Sequence, residues 1–207
     1  MKFSELLRIT AGEPVFTTGF LSSGLQSLEG LQVQLSRWVR EGKLIKLRRG
    51  LYSVAPTYAG FGVHPFVAAN LLVSPSYVSC QSALAFHGVI PEDVPSVTSI
   101  TSGKGGTLTN SLGSFIYRHV KSDYLWGFRG EHLGEGRTAR VATAEKALLD
   151  LVYLEPAGDT IPFLRQLRLN GEGISPDLLK EAAARWGRKK LTRATENALS
   201  IISEEGK

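Results

Sequence analysis

The chain has 207 residues, of which 43% are hydrophobic and 21% are charged. These proportions are those of a folded globular protein and exclude a disordered chain, and the length suits one large domain or two small ones. Residues 1–60 carry eight Lys and Arg against four Asp and Glu, while the remainder carries sixteen against fifteen. Because the positive charge is concentrated in the N-terminal part, the sequence favours a nucleic-acid partner for that part.

The sequence contains a single cysteine, Cys80, and therefore can form neither an intramolecular disulfide nor a cysteine-based zinc site. Residues 1–10 alternate charged and apolar side chains without a signal-peptide core, and no apolar run reaches the ~20 residues needed to span a bilayer. We therefore expect a cytoplasmic protein that is neither exported nor held in a membrane, with no metal ion and no cofactor.

Residues 1–58 are predicted to form a winged helix-turn-helix. A first amphipathic helix is ended by Gly12 and Pro14. A second short helix opens within residues 17–21, and a glycine-rich turn leads to Ser27, the expected N-cap of the third helix. The apolar residues of this third helix recur at the spacing that gathers them on one buried face, and they are Leu28, Leu31, Leu35, Trp38 and Val39.

The outer face of the third helix and the hairpin after it carry the candidate DNA-binding residues. Gly42 ends the helix, and two short strands, 43–47 and 51–54, flank the basic tip of the hairpin. A helix fits the major groove, where its donors read base edges, while a basic wing lies along the neighbouring phosphates. The residues assigned to this contact are Gln34, Ser36, Arg37, Arg40, Lys46, Arg48 and Arg49. Two alternatives stay open, a merely solvated arginine face and a winged helix that binds protein.

A linker is predicted at residues 55–62, where Pro and Gly interrupt regular structure, and residues 63–207 form the second predicted domain. This domain is expected to be mixed α/β, with a small sheet and terminal helices, which makes the whole chain α+β. Residues 103–107 are interpreted as a flexible hairpin loop, because their spacing does not match a phosphate-binding loop. Helices are predicted at 66–72, 79–88, 143–153, 175–186 and the C-terminus, and strands at 96–102, 115–120, 131–133 and 138–142.

The densest positive cluster of the sequence lies between the last two helices. It has two open interpretations. It is either a binding site for phosphate or an acidic protein surface, or a set of cations favoured near the C-terminus of a helix. Its residues are Arg185, Arg188, Lys189, Lys190 and Arg193.

An enzyme is the competing class of protein. His87, His119 and His132 occur in the second predicted domain together with carboxylates, and such residue types can form a metal site or an acid–base pair. Their spacing matches no metal-binding or paired-carboxylate motif. Lys146 and Asp150 lie one helical turn apart, which suits a structural ion pair equally well. We therefore expect no enzymatic activity, and a catalytic role of the second domain stays as the alternative.

Three segments, in this order along the chain, carry a resemblance to a known family. They are the wing ending in Arg49-Gly50-Leu51-Tyr52, the helix from Ser82 to Gly88, and the segment from Ala142 to Asp150. Together they resemble the AbiEi family of antitoxins, which belong to type IV toxin–antitoxin systems linked to abortive phage infection. The resemblance covers most of the chain.

The resemblance implies a bacterial repressor that binds inverted repeats in the promoter of its own operon through the N-terminal domain. It also implies that the C-terminal domain counteracts a nucleotidyltransferase-like toxin, functionally rather than in a tight complex. An inverted repeat requires two copies of the DNA reader, so we expect a monomer or weak dimer that pairs on double-stranded DNA. The alternatives are a stand-alone winged-helix regulator and a module that binds protein.

Overall fold

The computed structural model describes residues 1–10, 15–22, 28–134 and 137–205. These residues form a mixed α+β structure with two β-sheets, which agrees with the predicted class. The helices are α1 (Phe3–Ile9), α2 (Thr18–Ser22), α3 (Leu28–Arg40), α4 (Pro56–Ala59), α5 (Pro65–Leu72), α6 (Cys80–Phe86), α7 (Ala144–Leu154), α8 (Ile161–Gln166), α9 (Pro176–Trp186) and α10 (Lys189–Glu205). The strands are β1 (Val15–Thr17), β2 (Leu44–Arg48), β3 (Leu51–Val54), β4 (Ser76–Val78), β5 (Ser96–Thr101), β6 (Gly106–Asn110), β7 (Gly113–His119), β8 (Phe128–His132) and β9 (Thr138–Ala142).

The N-terminal part is built on a three-stranded antiparallel sheet with the strand order β1-β3-β2. α1 and α3 contribute to the same buried cluster as one face of this sheet. The predicted apolar face of α3 is confirmed at Leu31, Leu35 and Trp38, which are all buried. The whole cluster, called the N-terminal cluster below, comprises Leu6, Phe16, Leu21, Leu31, Leu35, Trp38, Leu44, Tyr52 and Val54.

The sequence did not predict β1. This strand spans three residues and pairs with β3. It is determined by backbone hydrogen bonds to a distant segment, and three residues are too few to show an apolar pattern of their own. α2 begins immediately after β1, close to the predicted second helix. The predicted helix end at residues 12–14, and the turn and N-cap at residues 23–27, lie outside the described residues.

The predicted linker at residues 55–62 is partly wrong, because it contains the short helix α4. Pro56 occupies the first helical position, where its fixed φ and missing N–H cost nothing. Gly60 ends the helix with a φ of +81°. The Tyr58 ring lies 5.1 Å from the Phe3 ring in an edge-to-face contact. The segment therefore packs against α1 and does not connect two units as a free tether.

The second sheet has six strands in the order β6-β7-β5-β4-β9-β8. It is mixed, since β5 with β7 and β4 with β9 are parallel while the other neighbouring pairs are antiparallel. β5, β7 and β9 lie where the sequence predicted strands, and β8 begins earlier than predicted, at Phe128. Strands β4 and β6 were not predicted from the sequence. β4 is a central strand of three residues and β6 is an edge strand that contains Gly and Thr, so both are stabilised mainly by pairing with neighbouring strands.

Residues 103–107 do not form the predicted hairpin loop. The predicted strands on either side became β5 and β7, which are parallel, so no tight turn joins them. The segment instead leads into β6, and the hairpin is made by β6 and β7 around Ser111 and Leu112. Gly105 permits the close approach of these strands, because a Cβ there would lie 2.9 Å from the Tyr117 carbonyl oxygen.

The predicted helices of the second part are confirmed, and their caps agree with the sequence. Thr143 Oγ1 accepts from the Lys146 N–H at 3.3 Å, and Ser175 Oγ accepts from the Leu178 N–H at 3.4 Å. Gly187 ends α9 with a φ of +67°. The short helix α8 was not predicted. In the part of the chain that the structure describes, no helix has the length and apolar character needed to cross a membrane.

The two predicted domains share the second face of the small sheet. Leu47 lies on the face of β2 opposite to Leu44, because successive side chains of a strand alternate between its two faces, and Leu47 and Leu51 belong to the large cluster formed around the second sheet. The Asn110 Nδ2 group, at the end of β6, donates to the Leu47 carbonyl oxygen at 3.1 Å. The β2–β3 hairpin is therefore fixed on both sides, by α1 and α3 on one face and by residues after 63 on the other.

Candidate functional site

The outer face of α3 presents two of the candidate cations. Arg37 and Arg40 are both exposed, and 57% of the Arg37 side chain is accessible. Arg37 Nε lies 3.5 Å from a Glu41 carboxylate oxygen. Lys43 Nζ donates to the same carboxylate at 2.7 Å and lowers the pKa of Glu41. The carboxylate thus lies between two cations at the end of the helix, where it partly offsets their charge.

The two polar candidates of α3 differ in what they can offer a partner. Ser36 is exposed. Gln34 is half-buried, and its Nε2 group donates to the Met1 carbonyl oxygen at 2.6 Å. Gln34 therefore holds the start of the chain against α3, and a base contact would have to use its remaining hydrogen-bonding capacity.

The β2–β3 hairpin presents the other three cations. Lys46, Arg48 and Arg49 are all exposed. Gly50 follows them with a φ of +77°, a conformation that favours glycine, and its carbonyl oxygen accepts from the Thr18 N–H at 2.9 Å. This bond ties the basic tip of the hairpin to the start of α2.

The helix and the hairpin that carry the two sets of cations belong to one packed unit. Leu35 and Trp38 of α3 and Leu44 of β2 belong to the N-terminal cluster, so the helix and the hairpin are positioned by the same core. Exposed cations on one packed unit add to its positive potential, which attracts a polyanion. We refer to Arg37, Arg40, Lys46, Arg48 and Arg49 as the basic surface.

The arginines of the C-terminal positive cluster have partners within the chain. The Arg185 guanidinium lies 4.3 Å from the centroid of the Trp126 ring. Arg188 donates from Nε and Nη2 to the Tyr124 hydroxyl oxygen at 3.2 and 2.9 Å. Both side chains therefore pin α9 and the residues after it onto the segment before β8.

Two of the other three cations of that cluster also have hydrogen-bond partners within the chain. Arg193 Nε donates to Asp159 Oδ2 at 2.6 Å, and Lys190 Nζ donates to the Glu155 carbonyl oxygen. Lys189 is exposed. The structure thus gives four of the five cations intramolecular partners, which matches the structural interpretation of this cluster more closely than a phosphate site.

The three histidines considered for a metal or acid–base site lie apart and have separate partners. His87 Nε2 is 2.8 Å from the Ala142 carbonyl oxygen, and His119 Nδ1 is 2.9 Å from the Gly103 carbonyl oxygen. His132 Nδ1 is 3.3 Å from the Thr138 hydroxyl. Within the described residues, no group of three or more His, Cys, Asp or Glu side chains is arranged to hold a metal ion.

A buried polar network joins β4 to α7. Lys146 Nζ donates to Asp150 Oδ1 at 2.5 Å and to the Tyr77 hydroxyl oxygen at 2.9 Å. The Tyr77 and Ser79 hydroxyls donate to Asp150 Oδ2 at 3.0 and 2.6 Å. Lys146, Asp150, Tyr77 and Ser79 are all 0% exposed. The sequence predicted the pair on α7, but it contained no signal for the two hydroxyls that complete the network.

Aromatic rings close this network off from solvent. Lys146 Nζ lies 4.0 Å from the Trp186 ring centroid and 4.9 Å from that of Trp126. Burial lowers the pKa of Lys146 and raises that of Asp150, while their mutual attraction opposes both shifts. A lysine with no exposed surface cannot reach a substrate, so the network serves to connect elements of the fold.

Cys80 carries the single thiol of the sequence, a potential nucleophile. It opens α6 with a φ of +52° and lines a groove of about 370 Å³ together with Gln81, Arg118 and Glu155. Burial and the Asp150 carboxylate raise the pKa of the thiol. Since the thiolate is the reactive form, this cysteine is an inert part of the core.

The chain matches no protein-family model, and no curated protein is significantly similar to it in sequence. It is similar in structure to the Rv2827c protein from Mycobacterium tuberculosis, with a TM-score of 0.53 and 12% sequence identity over 97% of this chain and 80% of that chain. At this identity, the likeness concerns the fold alone.

Proposed function

We propose that this protein is a DNA-binding transcriptional repressor and the antitoxin of a type IV toxin–antitoxin system, related to the AbiEi family. In this proposal residues 1–58 act as a winged helix-turn-helix, with α3 as the recognition helix and the β2–β3 hairpin as the wing. Residues 63–207 form the antitoxin domain. The partners are double-stranded DNA and, functionally, a nucleotidyltransferase-like toxin.

The observation that carries the DNA-binding part is the basic surface. Arg37 and Arg40 are exposed on α3, and Lys46, Arg48 and Arg49 are exposed on a hairpin that shares its core with that helix. A helix has the diameter of the major groove, and a neighbouring basic wing reaches the phosphate backbone. The concentration of positive charge in residues 1–60 agrees with this assignment.

The cations have different expected roles. Lys46, Arg48 and Arg49 on the hairpin bind phosphates and supply salt-dependent affinity for any sequence, because each neutralised phosphate releases counterions. Arg37 and Arg40 read base edges, with Ser36 and the free part of Gln34 at the margins of the helix. Two copies bind an inverted repeat with half-sites about 34 Å apart, as a weak dimer or as two monomers that meet on DNA.

The test is a fluorescence-anisotropy titration of the full-length protein against the DNA upstream of its own gene and against a scrambled sequence, at two salt concentrations. Full-length variants are preferable to a truncation, because the hairpin also packs on residues after 63. We expect Arg48→Ala to weaken binding to both DNAs and to reduce the salt slope by about 1.

Arg37→Ala should cost about 1–3 kcal/mol on the preferred sequence and much less on the scrambled one. Arg165→Ala is the matched control, since 59% of that side chain is accessible and it pairs with Glu204 on α10. Equal losses on both DNAs for Arg37→Ala would remove the base-reading role, and a protein without preference for its own upstream DNA would refute the repressor proposal.

The antitoxin role has an independent test. If the adjacent gene encodes a nucleotidyltransferase-like protein, its expression alone should arrest growth and co-expression of this chain should restore it. Restoration by the Arg37→Ala variant would separate neutralisation from DNA binding. If no such gene product arrests growth, the protein is a stand-alone winged-helix regulator.

A further inference from the structure

Val33 is the most exposed large apolar side chain among the described residues, at 70% accessibility. It lies in the middle of α3, on the face opposite the buried Leu31 and Leu35. Four residues further along is Arg37 and seven further along is Arg40, so the three side chains line one stripe of the helix. An apolar side chain thus stands in the centre of the base-reading face.

Gly30 begins the same stripe, three residues before Val33. Gly30 is the third residue of α3, and glycine has a lower helix propensity than alanine. Packing within the chain does not require it, because a Cβ at residue 30 would meet nothing within 4 Å. The missing side chain therefore leaves open space on the outer surface, where a partner can approach the helix backbone closely.

We infer that Val33 is a specificity-determining residue that packs against the C5-methyl group of a thymine in the major groove, and that Gly30 lets the backbone of α3 come close enough for this contact. The inference rests on the proposed DNA-binding function. The thymine methyl is the apolar group that the major groove presents, and small apolar side chains are the ones that contact it.

The flanking charges favour DNA over a protein partner for this stripe. Arg37 and Arg40 lie on the same face of α3 as Val33 and are both exposed. An apolar side chain with cations on the same helix face suits the major groove, where a thymine methyl group lies between two phosphate backbones.

The spacing on α3 restricts the position of that thymine. Val33 and Arg37 are four residues apart, which corresponds to about 6 Å along a helix. Base pairs are stacked about 3.4 Å apart. When α3 lies along the groove, the thymine bound by Val33 is therefore about two base pairs from the base that Arg37 reads.

The test combines a change in the protein with a change in the DNA. Each thymine of the upstream site is replaced in turn by deoxyuridine, which lacks only the methyl group. With the wild-type protein, we expect one position in each half-site to lose about fourfold in affinity, the effect of removing one buried methyl group. With full-length Val33→Ala, the thymine and deoxyuridine forms at that position should bind equally.

Gly30→Ala tests the close approach. It should leave the thermal midpoint unchanged or raise it, because alanine favours the helix, while weakening binding to the upstream site by tenfold or more. Gln32→Ala, at an exposed position of α3 outside the stripe, is the control and should bind like the wild type.

The outcomes separate the two proposals. Absence of preference for the upstream DNA overturns the repressor function together with this inference. Specific binding in which Val33→Ala keeps the full deoxyuridine effect at every position overturns the inference alone, and so does wild-type DNA affinity of Gly30→Ala. If Val33→Ala and Gly30→Ala bind DNA normally but fail to restore growth beside the toxin, the stripe is a protein-binding surface and the inference is wrong.

Discussion

Replacing Lys146 by methionine should have opposite effects on stability in two backgrounds. In the wild type it leaves the Asp150 carboxylate buried without its cation, and breaking a buried ion pair in this way costs about 3–5 kcal/mol. Two hydrogen bonds to Asp150 remain, from Tyr77 and Ser79, and protonation of a carboxyl whose pKa burial raises relieves part of the penalty. We therefore expect a loss at the lower end, about 3 kcal/mol.

Asp150→Leu should be the more damaging single change. It removes the acceptor of three donors at once, namely the Lys146 ammonium and the Tyr77 and Ser79 hydroxyls. Each unsatisfied buried hydroxyl adds about 1–3 kcal/mol to the cost of the unpaired ammonium. The expected total is about 5 kcal/mol or more, a large part of the stability of an ordinary domain.

In the Asp150→Leu background, Lys146→Met removes a buried charge that no longer has a counterion. The double variant should therefore be more stable than Asp150→Leu, by about 2 kcal/mol, although it also loses the contact of the ammonium with the Trp186 ring. Replacement of a buried pair by apolar side chains of similar size is often neutral or favourable.

The assay is urea unfolding followed by far-UV circular dichroism at pH 7, which reports the secondary structure of the whole chain, whereas tryptophan fluorescence would report only the surroundings of Trp38, Trp126 and Trp186. If Asp150→Leu does not fold, Asp150→Asn replaces it, because the amide keeps a carbonyl acceptor. A destabilising effect of Lys146→Met in both backgrounds would refute the description of the network as a coupled ion pair.

Two further predictions concern single positions. Gly127→Ala should destabilise the protein by about 2–4 kcal/mol in urea unfolding, because φ is +72° there and the new Cβ would lie 2.9 Å from Lys146 Cγ. Gly134→Ala is the control. Its φ is +81° and the space around it is open, so it should cost only about 1–2 kcal/mol. Burial lowers the pKa of His64, so the neutral ring is favoured in the fold, and stability should fall as the pH drops below about 6.5. His64→Asn keeps an N-cap acceptor for α5, and an identical loss of stability between pH 7.5 and 5 in that variant would show that His64 does not contribute.

The sequence by itself determined the elements whose information is local. The apolar spacing of α3, Thr143 and Ser175 as N-caps, and Gly187 as a helix end are patterns within one or two turns of chain, and the structure agrees with each of them. The ordering of helices and strands into a mixed α+β chain followed from the same signals. The positions of the basic residues on the outer face of α3 were also readable, because helical phase alone sets them.

Tertiary structure decided what depends on distant partners. β1, β4 and β6 exist through pairing with other strands, and no local pattern marks them. The two faces of the β2–β3 hairpin are covered by different parts of the chain, so Leu44 joins the N-terminal cluster, Leu47 joins the large cluster, and the hairpin belongs to two cores at once. Residues far apart in sequence enclose Lys146, and the C-terminal arginines find rings and carboxylates of other segments. The burial of a charged group and the identity of its partner depend on the folded structure. The sequence therefore shows which residues are charged but not which residues they contact.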